Sequence, residues 1–181
     1  MVFGGGFREP LRVIYFNAVL YNREYFPEPD AAIVSIFGKP LFKSPEFDFS
    51  HTEYYTPEMG RPQSKYFAGY EVIDSPERLA EFKIKAVELE NSLMRDGKRF
   101  INVDPGYVAL EKVVAASTKN FTHRIYIGGR IYADLQLQRR KNAYQPLPWT
   151  FQDYTFPQAL EFFEKMRNHL IAETAAAGSS E

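Results

Sequence analysis

SKYFAGYEVIDSPERLAEFKIKAVELENSLMRDGKRFINV, residues 64–103, sets one helix between two extended runs, and its reading decides the fold. Ser64 to Ile73 is rich in aromatic and β-branched residues, as a strand requires. Asp74 and Ser75 offer caps and Pro76 falls at the first helical position. Leu79, Phe82, Ala86, Leu89 and Leu93 then recur at three- and four-residue steps until Gly97 closes the helix. Arg99 to Val103 resumes an extended pattern.

Outward toward the amino terminus, Leu11 to Tyr21 (LRVIYFNAVLY) has few charges and suits a central strand buried on both faces. Asp30 is placed to cap a short helix over AAIVSIF, ended by Gly38 and Pro40, and Leu41 to Phe49 is again extended. The order strand, helix, strand, strand, helix, strand is that of a split βαβ, ferredoxin-like antiparallel sandwich, so the expected class is α+β with its core over residues 11–104.

Toward the carboxyl terminus, DPGY at Asp104 reads as a turn and Val108 to Ser117 as a short helix with Val113 and Val114 inward. HRIYIGGRIYADLQLQ is a hairpin around Gly128 and Gly129. Thr155 with Gln158 makes a capping box, Pro157 sets the first turn, and Ala159, Phe162, Phe163, Met166 and Leu170 form the stripe of a terminal helix. Residues 105–173 thus extend the core within a single domain of residues 1–181, and residues 1–10 and 174–181 are expected to be flexible.

The hairpin register follows from alternation. A three-residue loop pairs Ile127 with Ile131 and Arg124 with Asp134, and gathers Ile125, Ile127, Ile131, Ala133, Leu135 and Leu137 on one face; a one-residue slip scatters them. Arg124, Tyr126, Tyr132, Asp134 and Gln136 then share the opposite face. Asp134 facing His123 would contradict this register and the Arg124 site together.

The chain has 181 residues, 22 Lys plus Arg against 23 Asp plus Glu, 45% hydrophobic residues, 16% aromatics and no cysteine. This composition supports a buried core and excludes a disulfide framework, a thiol nucleophile and Cys-based metal sites. The net charge of -1 argues against coating DNA or an anionic membrane. There is no run of 18 apolar residues and no signal-peptide pattern, so the expectation is a cytoplasmic protein with no membrane partner.

The small net charge hides an asymmetry: residues 98–141 carry +6 and the remainder -7. A basic, aromatic region between Asp104 and Asp134 is therefore the candidate site for a small anionic, phosphate-bearing metabolite or nucleotide. Lys112, Lys119, His123, Arg124 and Arg130 would supply charge and donors, and Tyr107 and Tyr132 aromatic walls. Asp134 would hold the Arg124 guanidinium, and Asp104 and His123 are the candidates for orientation or proton transfer. The acidic loop DFSHTEYYTPEMG offers Asp48, His51 and Glu58 as weak metal ligands, but a polar loop rich in Tyr and Pro needs no metal, and none is expected. In the expected topology this loop and Asp104 need not share a site. No cofactor is specified.

GGGF at Gly4 precedes a strand and lacks the Lys-Ser or Lys-Thr of a P-loop, and no GxSxG elbow is present. Two other readings remain open. The 16 Phe, 12 Tyr and one Trp could serve an interaction protein that forms a homodimer or docks a partner. RNA binding on an exposed sheet is a third reading, although KYFAGY at Lys65 is only partly like the RNP1 pattern.

INVDPGYVALEKVVAASTKNFTHRIYIGGRIYADLQL followed by PLPWTFQDY, with DF and YY in DFSHTEYY, EMG at Glu58 and DGKR at Asp96, resembles prokaryotic domain-of-unknown-function family 4416 from about Leu11 to Leu170. Within this span DPGY, STK at Ser117, HRIY, IYAD and LPW are specific only in combination. The resemblance implies a small cytosolic protein without an established activity. Some members carry the label of GTP-binding protein, which this chain's residues do not support: there is neither a P-loop nor an NKxD motif, TKNF at Thr118 being a distant echo. The chain departs from the family pattern at His51, at Pro27 and Pro29, which bear on the length of the first helix, and at Asp134, where Glu is more usual.

Overall fold

A computed structural model describes Gly6, residues 8–49 and residues 52–178. Its main feature is a large antiparallel sheet with helices packed on it. β1 (Val13–Asn22) is buried along its whole length. It pairs on one side with β4 (Gln63–Asp74) and on the other with β5 (Ile101–Val108). Two short strands, β2 (Phe42–Lys43) and β3 (Phe47–Asp48), pair with the outer edge of β4. Beyond β5 the sheet continues through β6 (Lys112–Ser117), β8 (Ile131–Arg140) and β7 (Arg124–Gly128), in that spatial order, and β9 (Ala143–Pro146) pairs with β8.

Alternation along β1 assigns each face its helices. Val13, Tyr15, Val19 and Tyr21 belong to the core under α1 (Pro29–Phe37) and α3 (Leu79–Ser92), with Ile33, Phe37, Leu79, Phe82 and Ala86. Ile14, Phe16 and Ala18 face α4 (Pro157–Gly178), which contributes Ala159, Phe162, Phe163, Met166 and Leu170. A smaller cluster of Leu20, Phe49 and Met59 continues that second face under α2 (Thr56–Met59).

Several expectations are corrected. Val108 to Ser117 is no helix: it holds the end of β5 and all of β6, because Val113, Val114 and Ala115 pair with Val108, Tyr107 and Gly106. A short apolar run fits either element, and here pairing on both sides makes it a strand. DPGY lies inside β5 and is not a turn. Pro105 is tolerated there because, like Val103 two residues earlier, its nitrogen points away from β1.

The hairpin turns at Gly129 and Arg130, both at positive φ, with Gly128 opposite Ile131 and an irregularity between Tyr126 and Gly128. Ile127 therefore does not pair with Ile131, although Arg124 does pair with Asp134. A second irregularity between Val113 and Val114 carries Leu137 to the α4 side while Ile131, Ala133 and Leu135 face α3. Ile125 is exposed, so the six apolar residues share no single face.

Asp30 does not cap α1; it accepts hydrogen bonds from Tyr66 and Lys43. Thr155 likewise does not cap α4, its hydroxyl donating to the Gln152 carbonyl. Residues 174–178 continue α4. The expected flexibility of residues 1–5, 7 and 179–181 falls outside the described residues.

Candidate functional site

β5 and β6 pair only at Gly106, Tyr107 and Val108. Toward Ile101 the two strands part, leaving the β6-facing edge of β5 without a strand partner. α3 supplies the missing hydrogen bonds: Glu90 accepts from the Val103 N–H at 2.8 Å and Lys83 donates to the Val103 carbonyl at 2.8 Å. These two residues occupy the buried stripe of α3 with Leu79, Phe82 and Ala86, and this replaces the ladder that the divergence removes.

A cleft of about 930 Å³ opens at the divergence. Its floor includes Asn102 and Asp104 of β5, Lys83 and Glu90 of α3, and Lys65 of β4, which lies across the sheet from Asn102 with Leu20 between them. One wall is the loop around Tyr54, Tyr55 and Glu58, the opposite wall the 3₁₀ turn Gln152–Thr155 with Phe151, and the mouth is formed by Ser117 to Phe121 and Arg124. The acidic loop and Asp104 thus share a site, contrary to expectation. The reason lies in the register: Asp48 pairs with Ser64, Asn22 with Gln63 and Tyr21 with Ile101, so the loop after β3 and the start of β5 emerge at one end of the sheet.

The floor is a network of alternating charge. Lys83 Nζ lies 2.7 Å from Asp104 Oδ1 and 3.7 Å from Glu90 Oε1. Asn102 donates to Asp104 Oδ2 at 2.7 Å, and Arg99 donates to Asn102 and Glu90 while gripping Glu58 with two hydrogen bonds of 2.9 Å. Beside them Lys65 and Asp153 pair at 2.6 Å, both nearly inaccessible. Burial alone would raise the Asp104 carboxyl, but the Lys83 ammonium, with Lys65 and the Asn102 hydrogen bond, holds it below the ordinary aspartate value. Burial would lower the Lys83 ammonium, but Asp104 and Glu90 outweigh it and leave Lys83 raised. Glu90 shows the opposite balance: its burial exceeds the pull of Lys83 and Arg99, and its carboxyl is raised.

The mouth carries two cations, Lys119 exposed and Arg124 with a side chain 11% exposed. Arg124 Nε donates to Asp134 at 2.7 Å and Nη1 to Ser117 and to the Lys119 carbonyl, each at 2.9 Å; among the described residues Nη2 has no partner. Asp134 is buried, which fixes the guanidinium. Lys119 lies over the Tyr54 ring and donates to its hydroxyl. Phe121, Phe151 and Tyr54 are all exposed beside these two cations.

Of the residues singled out from sequence, Asp104, Lys119 and Arg124 line the cleft, and Asp134 stands behind Arg124. His123 stacks on Trp149 with ring centroids 4.9 Å apart, and its Nε2 lies 3.4 Å from Asp134. Asp134 therefore faces both His123 and Arg124, which corrects the expectation that contact with His123 would exclude the register and the site: the Arg124–Asp134 pair is present beside it. Tyr107 packs on Tyr15 on the α3 face, Lys112 pairs with Glu111, Tyr132 packs on Tyr126, and Arg130 occupies the exposed turn; none of the four lines the cleft. Among the weak metal candidates Asp48 pairs with Arg23, Glu58 pairs with Arg99, and His51 lies outside the described residues. No group of three His, Asp or Glu that could hold a metal ion occurs among the described residues.

Lys65, Lys83, Glu90, Arg99, Asn102 and Asp153 are the site residues that sequence reasoning missed. For Lys83 and Glu90 a signal was present: both fall on the apolar stripe of their helix, where a charged residue needs a partner. A family model described as Domain of unknown function (DUF4416) matches residues 11–170. No curated protein and no solved structure matches the chain significantly.

Proposed function

We propose, for a chain that belongs to the DUF4416 family of unknown function, that the cleft between β5 and β6 binds a small phosphate-bearing anion through Lys119 and Arg124. The observation that carries this reading is the Arg124 guanidinium, fixed by buried Asp134 and left, among the described residues, with Nη2 unpaired beside the cleft mouth. A held guanidinium loses little freedom on meeting an oxyanion, and the neighbouring Lys119 adds a point charge. A cleft of about 930 Å³ with exposed aromatics at its mouth is of the size that takes a metabolite or nucleotide.

Behind this site, we read the strand order β2–β4–β1–β5 as a split βαβ, ferredoxin-like sandwich whose sheet is prolonged by β6, β8 and β7. Thermal denaturation with millimolar inorganic phosphate, sugar phosphates and nucleotides tests the functional reading. A rise in Tm for the wild type that is lost in Lys119→Ala supports it, and no rise with any of them removes it.

A second reading is favoured by the edge strand β7, where Ile125 is 68% and Tyr126 59% exposed. An apolar strand edge is a template for pairing with a second copy of the chain. Sedimentation at micromolar concentration distinguishes a dimer from a monomer, and Ile125→Lys should shift a dimer toward monomer.

A further inference from the structure

The two ends of the cleft are chemically opposite. At the mouth stand Lys119 and Nη2 of Arg124, unpaired among the described residues; at the floor the accessible acceptor is Asp104. Its side chain is 25% exposed, whereas those of Glu90 and Asp153 are 3% and 5% exposed and already committed to cations. Glu58 also carries one hydrogen bond on each oxygen, both from Arg99, but it stands on the wall of the cleft and not on its floor. Asp104 uses one hydrogen bond on each oxygen, to Lys83 and to Asn102, and an ionised carboxylate has about four acceptor positions. Two remain for a ligand.

From this juxtaposition we propose that the ligand is a phosphate monoester whose body carries hydroxyl groups, with the phosphate at Lys119 and Arg124 and a hydroxyl donating to Asp104. The inference rests on the anion reading above and adds to it the chemistry of the other end. A carboxylate in a cleft accepts from a hydroxyl and repels a second anionic group, so the site favours one charged end over two. The exposed rings of Tyr54, Phe121 and Phe151 at the mouth can cover either the carbon face of a sugar or the plane of a base. Sugar phosphates and nucleoside monophosphates share this chemistry. Lys83 and Asn102 act here as positioning residues: they hold the carboxylate ionised and aimed.

Titration calorimetry on the full chain with four probes tests the proposal: inorganic phosphate, propyl phosphate, ribose 5-phosphate and AMP. The expected result is that ribose 5-phosphate or AMP binds about tenfold or more tightly than propyl phosphate, as a hydrogen bond to a charged acceptor provides. Whichever of the two binds more tightly identifies the source of the hydroxylated body. Asp104→Asn should narrow that preference. The wild-type comparison stands by itself if that variant fails to fold. Equal affinity for propyl phosphate and both hydroxylated esters overturns this inference and leaves the anion reading intact. No binding of any probe, inorganic phosphate included, overturns the anion reading on which it rests.

Discussion

Lys83 is the residue on which the site's polar floor depends, because its ammonium serves a backbone carbonyl, Asp104 and Glu90 at once, with a side chain 4% exposed. Replacing it with Met keeps the volume but leaves partly buried Asp104 without its cation and the Val103 carbonyl without a donor, and should cost about 3–5 kcal/mol in urea-unfolding free energy. The same network predicts a pH dependence. The folded-state value of Asp104 lies below its unfolded value, so its contribution is complete above about pH 4 and is lost as pH falls through the lower folded value. Glu90 works in the opposite sense: its raised carboxyl costs stability as pH rises and it ionises in its buried position. The acid limb of a plot of urea midpoint against pH should therefore be shallower in Asp104→Asn than in the wild type. An unchanged limb would show that Asp104 titrates no differently when folded. Arg124 calls for a different choice of variant. Its partner Asp134 is 1% exposed, so Arg124→Ala would leave a buried carboxylate beside His123 alone and confound affinity with stability. Lys119, which is exposed, is the cleaner probe: Lys119→Ala should lower phosphate-ester affinity about tenfold and shift the unfolding free energy by less than about 1 kcal/mol, both measurable on one preparation.

The cleft exists because β5 and β6 meet for three residues and then separate, and Gly106 is where they meet. A Cβ there would lie 2.4 Å from Phe16 Cζ and 2.5 Å from the Val114 carbonyl oxygen, which is backbone and cannot swing aside. Gly106→Ala should thus destabilise the protein by about 1–3 kcal/mol in chemical denaturation, and a neutral outcome would mean that the strands are not so closely apposed. Elements with one strong period were legible in the sequence. The α3 stripe read directly from its period, and β1 from the length of its apolar, β-branched and aromatic run. β6 did not, since KVVAAS has no alternation to show and its identity is set by β5 and β8 on either side. In the hairpin the Arg124–Asp134 pair was legible, but the turn at Gly129 and Arg130 and the irregularities at Ile127 and Gln136 were not. An apolar count assumes strict alternation, and an irregular residue interrupts it.

Across the whole molecule, folding pairs four of the nine cations in residues 98–141 with acids. Arg99 meets Glu58 and Glu90, Arg139 meets Glu164, and Arg124 and Lys112 find acids within their own segment. What the sequence showed as a basic region of nine cations becomes, at the cleft mouth, Lys119 and Nη2 of Arg124. The functional residues were only partly legible because sequence does not show where β5 and β6 part: Asp104, Lys119 and Arg124 line the gap, whereas Tyr107 lies where the two strands pair and Arg130 and Tyr132 lie at the hairpin turn. The central claim is therefore one of location, and amide chemical-shift mapping tests it most directly. On titration with ribose 5-phosphate, the amides of Ser117 to Phe121 and of Asn102 to Asp104 should move together with the Arg124 Nε–H, saturably and at one apparent affinity. Shifts confined to Tyr107, Lys112 and Arg130, or none at millimolar ligand, would contradict it.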